Sequence, residues 1–298
     1  MFAGLGGLTQ GLVQAGADVV WAGNHNPLSV EYHALNHPTV VHTCQDHHLQ
    51  DFYTLPDVDA MACAPCCQGH GWARGKDRPR HAKSRATAWA VVQATAAKRP
   101  EFVLVENVPG FRNWDLLPAW EHAFRLMGYS VSYNEWDSAD SGVPQNRVRL
   151  FILFTRSRSP LHIYPSMRPH RSVRDYLAWD ETFAWTPVSE KVEATRRRVE
   201  RGRRELGDRF VMPYYSNGSG LTGRSVDRPI GTLTGADRWG VVDGDRMRMV
   251  QPAEAKLIMS FPPEYRVPKT KKKAIYLLGQ AVCPAQAEDV ARAIMRAG

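Results

Sequence analysis

The sequence predicts an α/β protein built on an open sheet, and three observations carry that expectation. A glycine-rich turn, Phe2-Ala3-Gly4-Leu5-Gly6-Gly7-Leu8, runs into helical spacing over residues 9–17 and then into Val19-Val20-Trp21-Ala22, a strand-like run. Further along, β-rich runs such as Phe102-Val103-Leu104-Val105 alternate with helical spacing over residues 85–98 and 114–127, the alternation expected of α/β folds. Third, successive apolar runs end in residues able to hold a ligand or do chemistry: Asn24-His25-Asn26, Cys44-Gln45-Asp46-His47 and Cys63-Ala64-Pro65-Cys66-Cys67-Gln68. In open α/β sheets ligands bind beyond the carboxyl ends of the strands, so one edge should carry the chemistry.

Composition narrows the class. The chain has 298 residues, 43% of them apolar, enough for a sizeable core. No apolar run reaches the ~18 residues of a membrane span. Five cysteines, an odd number with three crowded together, do not make a disulfide framework. With no signal peptide ahead of the glycine-rich start, they imply a reducing, cytoplasmic setting. The net charge of +8 points to a polyanionic partner. Its distribution is uneven: residues 68–85 carry 6 Lys/Arg against 1 Asp/Glu, and residues 151–228 carry 15 against 9.

The glycine turn lets backbone amides approach a cofactor, and the next strand presents Asn24 and His25 to its ribose. Such a turn should follow a first strand, yet only Met1 precedes it. Residues 56–64 read as a strand ending at the thiols. A cysteine is nucleophilic as thiolate and needs stiff surroundings to be aimed, which Pro65 supplies. Residues 72–85 lack apolar periodicity and read as a mobile basic loop, with Ser84 capping a helix over 85–98. Beside a nucleophile, such a loop suggests a lid closing on a nucleic-acid backbone through Arg74, Lys76, Arg78, Arg80 and Arg85. Glu106 ends a buried strand, where partial desolvation would raise its pKa toward proton donation. Arg147 and Arg149, two residues apart at the head of an apolar strand, should share one face. Residues 189–206 read as a basic helix, and 214–224 as a glycine-rich polar loop suited to a groove.

The order of Phe2-Ala3-Gly4-Leu5-Gly6-Gly7, the cysteine before Gln68-Gly69, Glu106-Asn107-Val108 and Gln145-Asn146-Arg147-Val148-Arg149 resembles the C5-cytosine DNA methyltransferases. The resemblance continues through Arg228-Pro229-Ile230-Gly231-Thr232-Leu233-Thr234 and Gly279-Gln280-Ala281-Val282. It implies a Rossmann-like S-adenosylmethionine-dependent methyltransferase sheet over residues 1–155 and 275–298, with a small target-recognition domain over 156–274. Cys67 would attack C6 of an extruded cytosine, Glu106 would meet N3, Arg149 the base carbonyl and Arg147 a nearby phosphate. Phe2, Gly4, Leu5, Gly6, Gly7, Asn24, His25, Asp46, His47, Cys66, Gln280 and Val282 would hold S-adenosylmethionine. Gln68, Asn217, Ser219, Thr222, Arg224 and Arg228 would join the basic loop on DNA, and no metal is implied.

This chain departs from the family pattern at three places. Where the family has Pro-Pro-Cys-Gln it has Pro65-Cys66-Cys67-Gln68, so counting back from Gln68 makes Cys67 the nucleophile. Asn24 replaces the usual acidic residue at the ribose, and Gln280 the usual asparagine, a pocket that could admit a modified S-adenosylmethionine. With about 70 residues between Phe154 and Arg228, the reader of bases is small. A monomer acting on double-stranded DNA with a target of about two to four base pairs is therefore expected. Three other readings are carried: a catalytically idle DNA-binding relative, a metal or redox protein using Cys63, Cys66 and Cys67 with His47 or His48, and a transferase acting on RNA.

Overall fold

The computed structural model describes residues 1–70, 78–214 and 223–297. Arg74, Lys76, Asn217, Ser219 and Thr222 lie outside the described residues. The chain divides into two compact units, Met1–Asp137 with Val148–Ser166 and Gln286–Gly298, and Ser138–Arg147 with Met167–Ala285. Residues 275–285, expected with the catalytic part, group with the second unit, and residues 156–166 with the first.

In the first unit, β1 (Trp21–Asn24) pairs in parallel with β2 (Val41–Cys44). A second sheet has the order β3-β4-β6-β5, from β3 (Ala60–Cys63), β4 (Phe102–Asn107), β5 (Ser130–Asp137) and β6 (Val148–Thr155). β3 runs parallel to β4, whereas β6 is antiparallel to both β4 and β5. Five helices intervene: α1 (Gly7–Gln14), α2 (Pro27–Asn36), α3 (Pro79–Ala86), α4 (Trp89–Lys98) and α5 (Leu117–Leu126).

β4 is apolar from Phe102 to Val105 and buried at every residue from Val103 to Asn107, as expected of a strand covered on both faces. Val103, Val105, Leu150, Ile152 and Phe154 pack with Trp120 and Phe124 of α5 in the core. Phe124 stacks on Phe154 at 3.9 Å. Trp120 brings a polar atom into this apolar layer and satisfies it, Nε1 donating to Ala88 O at 2.9 Å.

The basic stretch corrects the sequence expectation. A helix, α3, begins at Pro79 within the supposed loop, and Ser84 lies inside it instead of capping the next helix. Proline at the first helical turn has its φ preset and no amide to waste, and His81 Nδ1 accepts from Arg78 N at 3.2 Å. Only His81 of α3 is buried, so no apolar stripe marks the helix in sequence.

The second unit holds an antiparallel sheet ordered β7-β11-β10-β8-β9. Its strands are β7 (Thr186–Pro187), β8 (Arg209–Pro213), β9 (Arg224–Ser225), β10 (Trp239–Asp243) and β11 (Arg246–Met249). Helix α6 (Glu193–Leu206) lays Val199 on Phe210, Met212, Val242 and Met247. Gly202 is needed there, because a Cβ would enter the Phe210 ring. Three of the six arginines of α6 are matched by nearby carboxylates: Arg197 pairs with Glu193, Arg201 with Glu205, and Arg203 with Asp208 and Asp245. Two further helices, α7 (Pro252–Ile258) and α8 (Lys271–Gln280), complete this unit, and α9 (Pro284–Ala297) returns the chain to the first. Among the described residues no helix is long and apolar enough to cross a membrane.

Candidate active site

Strand register assembles the catalytic edge of the first unit. Cys63 at the end of β3 lies opposite Val105 of β4, so the thiol loop begins beside Glu106 and Asn107. Because β6 is antiparallel to β4, with Leu150 opposite Asn107, Arg149 arrives at that same edge. Arg149 Nε lies 3.1 Å from Glu106 Oε1, and the two side chains are 12% and 11% exposed. In so dry a setting a charge-assisted bond is strong, and each partner fixes the other's direction. Sequence reasoning reached Glu106 and Arg149 singly and missed that they are a pair.

The loop carrying Cys66 and Cys67 is clamped at several points. Asn107 Nδ2 donates to Pro65 O at 3.0 Å. Cys66 N donates to Thr87 Oγ1 at 3.0 Å, and that hydroxyl donates to Ser84 O at 2.7 Å. Ser84 Oγ accepts from Gly69 N at 3.1 Å, and Arg85 Nη1 donates to Gly69 O at 3.2 Å. Gly69 has no room for a side chain, since a Cβ would sit 2.6 Å from His81 O. Beyond it, buried His70 packs on Phe111 at 4.5 Å. Cys66 and Cys67 are half-buried and in no disulfide, while Cys63 is a buried thiol whose pKa burial pushes up. The α3–α4 corner thus holds the loop, which gives the basic stretch a structural duty. Gln68, Arg78 and Arg80 are exposed nearby in the chain.

Arg147 corrects the expectation of a phosphate contact. It precedes β6, so the shared-face rule for strand neighbours does not reach it. It is only 1% exposed and belongs to the second unit. There its guanidinium donates to Leu233 O, Gly279 O and Ala281 O at 2.8, 2.9 and 2.8 Å. It ties three segments together. Arg224 and Arg228 of this unit are exposed.

The expected cofactor residues gather at the ends of β1 and β2. Phe2 has φ +56°, Gly4 +54° and Gly6 +100°, a turn that swings the chain into α1. No side chain caps α1, so its first amides are free to meet a ligand carboxylate. Asn24 is buried and its Oδ1 accepts from Asn26 N at 2.9 Å. Asp46 Oδ1 accepts from His48 N at 3.0 Å, and His25 and Asp46 are exposed. His47 is buried beneath Phe2, ring to ring at 4.5 Å. Burial pushes its pKa down to about 4. Its Nε2 faces both Phe2 N and Gly23 O at 3.1 Å and can serve one of them in each tautomer. Leu5 and Gly7 are buried in the turn and first helix. Gln280, exposed, ends α8 and Val282, buried, follows it, both in the second unit. Among the described residues no group of three or more His, Cys, Asp or Glu gathers as a metal would require.

A thiol loop held by its backbone at a strand end, beside a buried carboxylate, gives the first unit the parts that nucleophilic catalysis through cysteine needs. The family model for C-5 cytosine-specific DNA methylases matches residues 1–296, and the chain belongs to that family. Its sequence is 25% identical over 290 residues to the type II methyltransferase M.NlaX of Neisseria lactamica, covering 95% of this chain and 91% of that protein. It is 33% identical to M.MthTI of Methanothermobacter thermautotrophicus over 158 residues, 51% of this chain and 46% of that one. A prophage-encoded Escherichia coli protein, provisionally assigned as a DNA modification methyltransferase, shares the fold with a TM-score of 0.72 at 19% identity, over 99% of this chain and 97% of its own. The protein is a DNA (cytosine-5)-methyltransferase with S-adenosylmethionine as methyl donor.

Proposed function

We propose that Cys67 is the nucleophile that adds to C6 of an extruded cytosine, with Glu106 at N3 and Arg149 at the base carbonyl. The observation that supports this most directly is the Glu106–Arg149 pair on the same strand edge as the clamped thiol loop. A planar base presents a carbonyl acceptor next to an accepting ring nitrogen, and a guanidinium beside a carboxyl that carries its proton is complementary to that edge. Cytosine C5 is a poor nucleophile until C6 is saturated. Addition of the thiolate to C6 makes C5 enamine-like, and the negative charge developing on the ring is met by a proton given from Glu106 to N3 and by hydrogen bonds from Arg149 to the base carbonyl. S-adenosylmethionine, when bound, supplies an electrophilic methyl group. The uncapped start of α1 suits its carboxylate, and Asn24 and Asp46 suit its ribose and adenosine. Once C5 carries the methyl group, transfer of the C5 proton to water re-forms the C5–C6 double bond and expels the Cys67 thiolate, and the N3 proton returns to Glu106.

On this reading residues 1–155 and 275–298 carry catalysis, and 156–274 read the target. The protein acts in the cytoplasm as a monomer on double-stranded DNA, at a site of about two to four base pairs, since each base read needs its own side chains. Mass analysis of nucleosides from unmodified DNA incubated with the protein and S-adenosylmethionine tests it. 5-Methylcytosine is expected with the natural chain and none with Cys67→Ser. Full activity of Cys67→Ser would sink the assignment, and a recognised sequence of six or more base pairs would sink the short target.

A further inference from the structure

Position 66 is stiffened by hydrogen bonds and not by a ring. A proline there would fix φ and leave no amide to donate. Cys66 keeps its amide, which donates to Thr87 Oγ1 at 3.0 Å, and its carbonyl oxygen accepts from Ser84 Oγ at 3.4 Å. One residue on, Cys67 O accepts from His70 N at 2.9 Å, closing a turn over Gln68 and Gly69. The dipeptide is thus pinned through its main chain on both sides. Its stiffness asks nothing of the side chain at 66, and that side chain is a thiol next to the thiol at 67.

Among the other thiols none is so placed. Cys63 is buried at the end of β3 and joins Val103, Val105 and Phe111 in the core. Cys283 is buried in the second unit, where Gln145 Nε2 lies 3.7 Å from its Sγ. Cys44 ends β2, opposite Asn24 of β1. Cys66 and Cys67 are half-buried, open enough for a small oxidant, and joined by one peptide bond. That bond is trans, which sets their Cα atoms about 3.8 Å apart. A relaxed disulfide spans about 4.4–6.8 Å between Cα atoms, so a bridge here carries strain and is readily reduced.

We propose that Cys66 is the resolving thiol of an oxidation site centred on Cys67, with hydrogen peroxide as the oxidant. Only its consequence for methyl transfer rests on the reading of Cys67 as the nucleophile. A thiolate reactive enough to add to a pyrimidine is also open to peroxide. The Cys67 sulfur attacks one peroxide oxygen and the O–O bond breaks. The other oxygen leaves as water after taking a proton, and Cys67 becomes a sulfenic acid. The Cys66 sulfur then displaces that hydroxyl, which leaves as water with the Cys66 proton, and a Cys66–Cys67 disulfide closes. Two thiols have given up two electrons, and one peroxide has become two waters. A dithiol reductant restores both thiols and is itself oxidised to its disulfide. Because neighbours in the chain react as one molecule, bridging outruns a second oxidation of Cys67 to the sulfinic acid, which thiols do not reverse. Methyl transfer stops under peroxide and resumes afterwards with the catalytic thiol intact.

The test treats the 298-residue chain with hydrogen peroxide, removes the excess with catalase, alkylates the remaining thiols and maps the cysteine peptides by fragment mass. The expected product has lost two hydrogens, about 2 Da, between Cys66 and Cys67. Dithiothreitol should return both the mass and methyl transfer. In Cys66→Ser at equal peroxide, Cys67 should gain about 32 Da as the sulfinic acid. The fraction so modified should exceed that of the natural chain at least ~5-fold, and dithiothreitol should not restore transfer, scored against the variant's own untreated sample. A bridge from Cys67 to Cys63 or Cys44, sulfinic acid at Cys67 of the natural chain without a bridge, or equal recovery of Cys66→Ser would overturn the proposal. Mapping of the natural chain needs no variant, so it decides the matter even if Cys66→Ser does not fold. Full activity of Cys67→Ser without oxidant would sink the catalytic reading and leave the mapped bridge standing, which keeps the two failures apart.

Discussion

Replacing Thr87 by valine removes one oxygen and almost no volume, which makes it a clean probe of how the nucleophile is held. The hydroxyl accepts from Cys66 N at 3.0 Å and donates to Ser84 O at 2.7 Å. Ser84 O keeps a second donor, Thr87 N at 3.3 Å, so the carbonyl loses little. The Cys66 amide, in contrast, is left without its acceptor in a half-buried loop. An orphaned donor costs about 1–3 kcal/mol, and partial water access places this one at about 1–2 kcal/mol. If that energy loosens the backbone that aims Cys67, it appears in the barrier to adduct formation. At 1.36 kcal/mol per tenfold, the expected loss is about 5–30-fold. The assay is single-turnover methyl transfer at saturating S-adenosylmethionine, with DNA affinity measured separately. The rate should fall by that factor while the DNA Kd stays within about 2-fold, and Thr87→Ser should restore most of it. An unchanged rate with a lowered melting temperature would show that the bond supports the fold and does not aim the thiol.

Four further outcomes are expected. Cys66→Ser should retain much of the activity whereas Cys67→Ser abolishes transfer and keeps DNA binding; the reverse pattern in a methylation assay would move the nucleophile by one residue. Arg147→Met should destabilise the second unit by about 3 kcal/mol or more in urea unfolding, because three buried carbonyls lose their donor together. Gly279→Ala should prevent that unit from folding, since the added Cβ would overlap the Thr234 main chain; normal soluble yield and melting would refute this. Acid should weaken the fold through buried histidines. His33 is pushed down to about 3, His37 to about 4 and His47 to about 4, chiefly by burial. Their folded pKa values lie below the unfolded value, so the unfolded chain binds more protons below pH ~6.5 and stability falls from there toward pH ~3–4. Each proton contributes a slope of up to ~1.4 kcal/mol per pH unit. A urea midpoint flat between pH 6.5 and 4.5 would contradict it.

How much of this was legible in the sequence depended on the range of the interaction. The strand ends near Asn24, Cys44 and Cys63 were readable because apolar runs stopping at polar residues are a local pattern. α3 was not, because a helix with one buried residue has no periodicity to read. The two arginines of the Arg147-Val148-Arg149 run parted company because the strand starts between them, and a boundary is the least legible part of any element. The hold on the thiol loop was invisible for another reason. Thr87 and Asn107 reach Cys66 and Pro65 across 21 and 42 residues of chain, and nothing local in a threonine or asparagine announces so distant a bond.

The antiparallel entry of β6 makes the catalytic pair a test of correct assembly. Side chains alternate between faces, so a one-residue slip of β6 against β4 would turn Arg149 to the opposite face of the sheet. Glu106 would then be left in a dry pocket with no counter-charge, and the guanidinium would face apolar packing, a combination costing several kcal/mol. A mispaired sheet is thereby penalised by the same two residues to which we assign the base. Chemistry and proofreading of the sheet share one contact.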